Sequence, residues 1–486
     1  MKKILFLLLF ITASFFQQSY AHSGKPKYHV IIDTDGAIDD MRAISMLLSG
    51  NDIRVLAFTC SQGSLSPNVV FQKITSLLSS FHHEGIPAGI SEGTDFDLPP
   101  WEPFAKSVRW ADFSDTLKQG QIENSIHLLN RTVKNYKNKL TLIALGSLKT
   151  YADWLQSNPE VIAKIDRIIW YNSFNIYEGF NYKVSPESYN YIQESGIKLE
   201  IISNTTTNYP VNKAYLQQID SSHTIYGDQI QFAHNQKSVK EKIKKNHLQL
   251  WDDLIPLFLT TPLIFDTETK DNTSFVSVSK NIPASYLYEI IGNLLASSSV
   301  TNNRVFSSFP INKDLYKSAY ADIIQNTIKK YGIIEWKAIC MTNEIHGHTG
   351  IYSIIGAKMG IRATEYFNVG VNNLEVISYA GLKPPLSCFN DGIQISTGAT
   401  IGQGLITVSD TVSKIPSATF EFNDQKVTLS LKAEIAEQMR NDIQFAIQKY
   451  GLLTDQYWQY IEELAIRYWV NYDRHDIFII QKVILE

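Results

Sequence analysis

Four carboxylates stand within the eight residues 33–40, which read DTDGAIDD. Like charges held this close raise one another's pKa unless a cation neutralises them. Carboxylate oxygens suit Ca²⁺ and Mg²⁺, whereas softer metals take thiolate or imidazole ligands. One Asp could simply cap the helix that follows, but a cap explains one carboxylate and not four. The run therefore predicts a site for a hard cation.

The elements around this run indicate how it is positioned. It follows a β-rich segment, residues 28–32, and opens an amphipathic helix over 39–49. Short apolar segments predict further strands at 55–59, 140–145, 168–171 and 199–202, with helical patterns at 72–81 and 150–156 between them. This alternation predicts an α/β fold with a mostly parallel sheet and helices on both faces. Ligands of such sheets bind beyond the carboxyl ends of the strands, where the acidic run lies.

The whole-chain composition limits the classes of partner. The 486 residues carry 44 Lys and Arg against 48 Asp and Glu, a formal charge of −4, which argues against a nucleic-acid partner. The length suggests two or three domains. A polar stretch at 297–313 interrupts the pattern, and we expect a first domain over 27–300, a linker over 301–314 and a smaller α+β domain over 315–486. The second domain shows a helical segment at 319–331, then a loop rich in Gly and His, and a helical run from Ala433.

The first 21 residues are typical of a signal peptide. Lys2 and Lys3 precede an apolar run at 4–16, and small residues follow at 19–21. We therefore expect an exported protein, periplasmic or secreted, that keeps no membrane segment after cleavage, since no other apolar run reaches about 18 residues.

The three cysteines are too few for a disulfide framework. Cys60 is expected to be a buried small hydrophobe. Pairing of Cys340 with Cys388 in an oxidising compartment is left open by the sequence.

The acidic run closely resembles the motif D-x-D-P-G-x-D-D of the inosine-uridine-preferring nucleoside hydrolase family. Residues 36–37, Gly-Ala, replace Pro-Gly and keep the spacing of all four acids. The resemblance implies that Asp35 and Asp40 ligate Ca²⁺. It also implies that Asp39 holds a ribose hydroxyl and that Asp33 braces the loop from behind.

Two further ligands follow from this resemblance. Residues 142–148, LIALGSL, are similar to the family's strand ending in Thr-Gly-Pro-Leu, whose Thr offers its main-chain carbonyl to the metal, so Leu145 can serve. Residues 251–254, WDDL, stand for the family's His-Asp-Pro-Leu, with Pro262 at the expected spacing. Asp252 is thus the remaining Ca²⁺ ligand candidate, although a Trp-Asp-Asp run could alone simply begin a helix.

The resemblance also implies ribose contacts. Residues 180–182, FNY, before SPE at 185–187, are similar to the family's Glu-Phe-Asn before Asp-Pro-Glu, which places Asn181 on the ribose 5′ side. Gly179 stands where the family has the Glu. Gln62 falls where an Asn of the family serves the ribose 3′ side, and a solvent-exposed Gln is the alternative.

The leaving base lacks the family's usual proton donor, because Trp251 occupies the position of that His. An indole N–H is not acidic enough to protonate a base, so Trp251 is expected to stack on it. Another acid could come from His223, His234 or His247.

Together these matches imply a nucleoside hydrolase-type fold with a Rossmann-like core and a Ca²⁺-dependent hydrolase of the N-glycosidic bond of nucleosides. Asp35 would be the base toward a metal-activated water. One alternative is a nucleoside-binding protein with little turnover. Another is a metal- or small-molecule-binding role carried by the second domain. A homo-oligomer is compatible with the family.

The second domain contains a separate pattern of Gly and His. Residues 345–350, IHGHTG, and 356–360, GAKMG, precede CFNDGIQ at 388–394 and TGATIGQG at 397–404. These blocks resemble the E-subunit family of formylmethanofuran dehydrogenase, with Gly350 in place of a Cys and Gln403 in place of a Lys.

The chemistry of this second pattern is open at the sequence level. Its candidate site residues are His346, His348, Cys388 and Asp391, and the ligand types suit Zn²⁺ or another transition metal. The alternative is that the glycines let loops pack tightly while the histidines bond to backbone carbonyls.

Overall fold

The computed structural model describes residues 26–111, 122–134, 136–204, 209–299, 303 and 305–483. The predicted signal peptide, residues 1–21, lies outside the described residues, and so do residues 301, 302 and 304 of the predicted linker. Among the helices of the described ranges, none has the length and apolar content needed to cross a membrane.

The first part of the chain is built around a large sheet. Its strands are β1 (Tyr28–Thr34), β2 (Ile53–Cys60), β3 (Ala88–Ile90), β4 (Glu123–Asn124), β5 (Leu140–Ala144), β6 (Ile165–Tyr171), β7 (Leu199–Ile202), β8 (Phe265–Lys270) and β9 (Thr273–Val278). Over the described residues these nine strands lie in the order β4-β3-β2-β1-β5-β6-β7-β9-β8. Every pairing is parallel except that of β8 with β9. The predicted α/β fold with a mostly parallel sheet is confirmed.

Helices cover both faces of this sheet. They are α1 (Ile38–Ser49), α2 (Pro67–Ser80), α3 (Glu102–Ser107), α4 (Ser125–Lys134), α5 (Lys149–Ser157), α6 (Phe180–Val184), α7 (Pro186–Glu194), α8 (Lys213–Asp220), α9 (Ile225–His234), α10 (Lys237–Lys244), α11 (Leu254–Thr260) and α12 (Ala284–Ala296). Along β1, Val30 and Ile32 belong to one apolar cluster and Ile31 to another. Because successive side chains of a strand point to opposite faces, the sheet is buried on both sides.

The order of the strands creates a crevice beside β1. The chain moves outward from β1 to β4 and then returns to place β5 on the other side of β1. Helices that leave neighbouring strands in opposite directions open a gap at the carboxyl ends of those strands, where ligands of such sheets bind. The acidic run follows β1, and Leu145 follows β5.

The second part of the chain is a smaller α+β domain, as predicted. Its strands are β10 (Glu375–Ser378), β11 (Ile406–Val408), β12 (Ser417–Phe422), β13 (Gln425–Leu431) and β14 (Phe478–Val483), in the order β11-β10-β12-β13-β14. Its helices are α13 (Ser318–Ala321), α14 (Ile324–His346), α15 (Ile351–Phe367), α16 (Phe389–Thr397), α17 (Ala433–Tyr450) and α18 (Asp455–Asn471). A separate apolar cluster fills its core.

Glycines change two helical predictions in this domain. The segment predicted over 319–331 is two helices, α13 and α14, and α14 continues to His346 across a kink at Gly332, whose φ is +85°. The run from Ala433 is divided at Gly451, with a φ of +82°, into α17 and α18, and then ends in β14. These positive φ values interrupt a helix while leaving the apolar periodicity on both sides intact.

The two domains contact each other through the loop after α2 and through α15. The Gly85 N–H donates to the Tyr366 carbonyl at 2.8 Å. The Arg362 guanidinium donates to the Glu84 carboxylate at 2.9 Å and to the His82 carbonyl at 2.9 Å. A Cβ at Gly85 would lie 2.5 Å from the Tyr366 ring, so the backbones meet at a distance that only glycine allows.

Candidate functional site

Asp33 links the ends of three strands. Its carboxylate accepts hydrogen bonds from the Thr59 hydroxyl of β2 at 2.5 Å and from the Ser61 hydroxyl, just after β2, at 2.7 Å. Its carbonyl accepts the Leu145 N–H at 2.9 Å, just past β5. Burial raises the pKa of Asp33 to about 7. Asp33 is therefore placed behind the cavity, as a brace for the loop.

Asp40 folds back over the turn that follows β1. One of its oxygens accepts the Thr34 hydroxyl at 2.6 Å, the Asp35 N–H at 3.0 Å and the Gly36 N–H at 3.2 Å. Gly36 has a φ of +77°, a conformation that a glycine adopts without strain. The departure from Pro-Gly to Gly-Ala thus places the glycine where this turn needs it.

Three carboxylates meet inside the crevice. Ligand oxygens of Asp39, Asp40 and Asp252 all lie within 4.8 Å of one another. Within the described ranges, Asp35 Oδ1 and Asp252 Oδ1 are buried and have no hydrogen-bond partner. Leu145, the proposed carbonyl ligand, lines the same cavity.

The electrostatics of this cluster favour a bound cation. Burial, followed by the charge of Asp40, raises the pKa of Asp35, Asp39 and Asp252, and the value for Asp39 is about 7. Unpartnered buried acceptors cost free energy unless a ligand satisfies them. An all-oxygen set with this charge fits a hard divalent cation such as Ca²⁺.

A cavity of about 560 Å³ opens above the carboxylates, and aromatic rings form part of its wall. The wall includes Trp101, Phe104, Tyr171, Phe180 and Trp251. Trp101 and Phe180 meet edge to face with ring centroids 4.8 Å apart. Trp251 therefore lies in the cavity wall, where it was predicted. A second tryptophan, Trp101, lies in the same wall, and no pattern in the sequence indicates it. Flat walls of this kind suit a planar ring.

Amide side chains form the side of the cavity next to β6 and β7. Asn181 donates to the Leu145 carbonyl at 2.8 Å and to the Tyr171 carbonyl at 3.0 Å. Asn172 and Asn204 also line the cavity, and the Oδ1 atom of each is buried without a partner in the described part of the chain. The sequence reasoning missed both. The sequence could have indicated both, because each Asn follows a buried strand within two residues.

Gly179 lies directly against Asn172. A Cβ at position 179 would stand 1.9 Å from Asn172 Oδ1. Any side chain at position 179 would therefore require the Asn172 amide to move.

Gln62 is held away from the cavity wall. Its Nε2 donates to the Thr94 carbonyl at 3.2 Å and to the Phe96 carbonyl at 2.6 Å, and its Oε1 accepts the Thr94 N–H. In this arrangement Gln62 braces the loop that contains those residues. A ribose contact from Gln62 stays a prediction.

Of the three histidines suggested as acids, only His247 lines the described cavity wall, together with Lys242. His234 is buried, its Nδ1 bonds to the Ile230 carbonyl at 2.7 Å, and burial lowers its pKa to about 3. His234 is therefore neutral at pH 7. His223 is outside the wall.

A buried ion pair joins the two segments that supply the carboxylates. Arg42, on α1, donates to Asp253 through Nε at 2.8 Å and through Nη2 at 2.6 Å. Both side chains are fully buried, and Arg42 also donates to the Gln249 carbonyl at 2.8 Å. Since Asp253 directly follows Asp252, the pair fixes the position of Asp252 relative to α1.

The second-domain candidates come together only in part. His346 Nδ1 bonds to Asp391 at 2.8 Å, and the His348 ring lies 4.3 Å from the His346 ring. Cys388 ends a short 3₁₀ turn before α16. Apart from the Asp cluster, the described ranges contain no group of three metal-ligating side chains within 4.8 Å. A transition-metal site at these residues stays a prediction.

Gly350 stands where the family that the second domain resembles has a Cys. A Cβ at this position would lie 3.1 Å from His346 Nε2, which is buried and lacks a partner among the described residues. A Cys there would stand beside His346, and its absence removes a ligand. Cys60 is buried as expected, and all three cysteines are free thiols.

Comparisons with known proteins match both parts of the chain. The family model described as inosine-uridine preferring nucleoside hydrolase matches residues 30–296, more than half of the chain. The model described as FmdE, molybdenum formylmethanofuran dehydrogenase operon, matches residues 345–469.

The curated relatives include the non-specific ribonucleoside hydrolase RihC of Salmonella agona and of Salmonella paratyphi A. Each is 26% identical over 191 residues, 37% of this chain. The match spans 62% of the length of these relatives, less than two thirds.

Solved structures with a similar fold include a purine-preferring ribonucleoside hydrolase from Gardnerella vaginalis, with a TM-score of 0.48 and 15% identity over 55% of this chain and 99% of that chain. An inosine-uridine preferring nucleoside hydrolase from Bacillus anthracis matches with a TM-score of 0.43 and 15% identity, over 56% of this chain and 99% of the other.

Proposed function

The chain belongs to the inosine-uridine preferring nucleoside hydrolase family, and from this premise we propose that it hydrolyses the N-glycosidic bond of ribonucleosides with the help of Ca²⁺. The two family resemblances seen in the sequence are confirmed by the matches at 30–296 and 345–469. One observation supports the activity above all. The buried, unpartnered oxygens Asp35 Oδ1 and Asp252 Oδ1 belong to the wall of one cavity that also has aromatic surfaces for a base.

Asp35, Asp40, Asp252 and the Leu145 carbonyl would hold the ion. When bound, Ca²⁺ would supply the positive charge that offsets the carboxylates and would act as a Lewis acid toward water.

The protein's own groups bind the sugar and receive a proton. Asp39 lines the cavity and offers its carboxylate oxygens to a ribose hydroxyl. The free Oδ1 of Asn172 and of Asn204 can each accept a hydroxyl hydrogen, so both are added to Asn181 as sugar-binding residues. Asp35 Oδ1, which is buried and has no hydrogen-bond partner among the described residues, is the acceptor for the proton of the attacking water.

The aromatic wall positions the base. Trp101 and Trp251 both contribute rings to the cavity, and the ring of a base between such walls is shielded from water. His247 is the side chain of that wall best suited to protonate the departing base, because His234 is buried and neutral.

Export, by way of the N-terminal signal peptide, is part of the proposal and rests on residues 1–21 of the sequence alone. The substrate is a small-molecule nucleoside. Assembly into a homo-oligomer remains an expectation from the family.

The proposal is tested with the full mature chain, residues 22–486, on a panel of purine and pyrimidine ribonucleosides. We expect ribose release with Ca²⁺ present, loss of release after EDTA treatment, and recovery when Ca²⁺ is restored. Ca²⁺ should also raise the melting temperature, because it binds the folded chain in preference to the unfolded one. A folded protein that Ca²⁺ stabilises but that leaves the whole panel intact would instead be a nucleoside-binding protein.

Replacement of His247 tests the proton donor. His247→Gln should lower kcat for inosine by about 10²–10⁴-fold, the usual contribution of a general acid. The rate with 4-nitrophenyl riboside should stay nearly unchanged, because nitrophenolate departs without protonation. His223→Gln, outside the cavity, is the matched control and should leave both rates intact. Equal losses with the two substrates would assign His247 to binding and not to proton transfer.

A further inference from the structure

A second cavity of about 700 Å³ lies in the second domain, and among the described residues neither the carboxylate cluster nor the His346–Asp391 pair forms its wall. It is bounded by the segment before α14, the carboxyl-terminal half of α14 and α18. Like the first cavity, its wall is rich in aromatic rings, among them Tyr316, Tyr320, Trp458 and Trp469.

The wall contains a buried donor that has no acceptor. Trp469 is fully buried and stacks on Trp336 with ring centroids 4.7 Å apart. Its Nε1–H has no hydrogen-bond partner in the part of the chain that the structure describes. The Trp336 indole, in contrast, donates to the Tyr316 hydroxyl at 3.2 Å. An unsatisfied buried N–H costs free energy, and a ligand acceptor in the cavity would remove that cost.

Acceptors for a ligand stand in the same wall. The Tyr320 hydroxyl contacts the Thr349 hydroxyl and donates to Glu462 Oε1 at 2.6 Å. Glu462 has a second carboxylate oxygen that can accept from a ligand. Glu462 and Glu344 outnumber Lys317, the one Lys or Arg among the described residues of this wall, so the cavity disfavours an anionic ligand such as a phosphate.

Two further features restrict the chemical class of the ligand. Trp458 is 39% exposed and meets the His348 ring edge to face with centroids 4.9 Å apart, which holds a flat ring at the entrance. Burial raises the pKa of the Cys340 thiol to about 12, so the empty cavity presents no reactive thiolate at neutral pH.

We propose that this cavity binds a planar, uncharged nitrogen heterocycle that carries an N–H donor beside a carbonyl or ring-nitrogen acceptor. The ligand's acceptor meets the Trp469 N–H, its donor meets Glu462, and its ring stacks on Trp458. Purine and pyrimidine bases have this chemistry. A free base is also the product of the hydrolysis proposed for the first domain. That link between the two cavities rests on the proposed function, whereas the site itself does not.

Calorimetric titration of the full mature chain tests the site. The protein carries Asp35→Asn, so that no nucleoside is consumed, and the ligands are hypoxanthine, uracil, inosine and, as a blank, ribose. We expect a binding event for the free bases that Trp458→Ala weakens by roughly tenfold or more, the usual effect of losing a stacking partner. Trp101→Ala, the matched tryptophan of the first cavity, should leave that event intact.

Trp469→Phe keeps an aromatic ring, although a smaller one, and removes the N–H, and it should weaken binding by about 2- to 10-fold. Because Trp469 lies in the core, the melting temperature of the Trp469→Phe variant is measured as well. Trp458 is partly exposed, so the Trp458→Ala variant should fold normally. Inosine binding that Trp458→Ala weakens to the same extent would support the site. It would show that the cavity accepts the heterocycle of the intact nucleoside as well as the free base.

The proposal is overturned if no base binds, or if binding is insensitive to Trp458→Ala and Trp469→Phe, or if it is lost only in Trp101→Ala. Hydrolysis by the unmodified protein is measured separately. Failure of base binding in an active hydrolase removes only this inference, and failure of hydrolysis with base binding intact removes only the proposed function.

Discussion

Replacement of Asp35 with Asn should lower kcat for ribonucleoside hydrolysis by about 10³-fold or more, within the range that a general base contributes. Asp35 has a buried oxygen with no partner among the described residues, and it is the carboxylate assigned to accept the proton of water. An Asn of the same size fits without rearrangement. The site is tight here, because a Cβ at Gly63 would lie 2.1 Å from Asp35 Oδ2. Ribose release is the measurement.

The same substitution should stabilise the metal-free protein. Burial and the neighbouring charge of Asp40 raise the pKa of Asp35, which means that the ionised form is disfavoured in the folded state. A neutral amide removes that repulsion. We therefore expect a higher melting temperature for Asp35→Asn in EDTA and a smaller rise on adding Ca²⁺ than in the unmodified protein.

Asp166→Asn is the control for both effects, since Asp166 is exposed on β6 and should change neither rate nor stability. An Asp35→Asn protein that keeps more than a tenth of the activity would contradict the assignment of the base. A metal-free variant that melts below the unmodified protein would contradict the electrostatic account of the cluster.

Removal of one partner of the Arg42–Asp253 pair should have the largest effect on stability. Arg42→Met should lower the free energy of unfolding by about 3–5 kcal/mol, because it leaves Asp253 charged, buried and unpaired. Arg42→Met combined with Asp253→Leu should recover most of that loss, since an apolar pair carries no desolvation cost. Urea unfolding of the two single variants and the double variant gives the coupling between the residues.

A surface pair provides the comparison. Lys149 and Asp153 on α5 lie 2.7 Å apart and are partly exposed, so Lys149→Met should cost at most about 1 kcal/mol. Because Asp253 follows Asp252, we also expect the Arg42→Met and Asp253→Leu double variant to need more Ca²⁺ for half-maximal activity despite its restored stability. If the double variant recovers both the free energy of unfolding and the Ca²⁺ concentration for half-maximal activity, the pair has only a structural role.

The site residues that can be predicted from the sequence are those that lie together in one short segment. The run at 33–40 contains its carboxylates and its strand-to-helix turn together, so local pattern suffices. Asp252 lies far along the chain from this run, and only its resemblance to a family motif indicates it. Asn172 and Asn204 were within reach of the same physical rule, since polar residues after parallel strands meet at one edge of the sheet.

Other parts of the site depend on packing that no local pattern indicates. Trp101 reaches the cavity from a loop, and Arg42 meets Asp253 only once α1 and the segment before α11 are packed together. In the second domain, the sequence predicts His346 in a loop, and the residue instead ends α14. The signal was present there, because Gly347, with a φ of +79°, is the left-handed residue that often terminates a helix.

The contact between Gly179 and Asn172 couples substitutions at these two positions. A side chain at 179 requires the amide of Asn172 to move, because the Cβ would lie 1.9 Å from the amide oxygen. A library of single substitutions therefore measures the effect of a side chain at 179 together with the displacement of Asn172. A paired library that also shortens residue 172 separates the two effects, and it is the direct way to test a Glu at 179 beside this cavity.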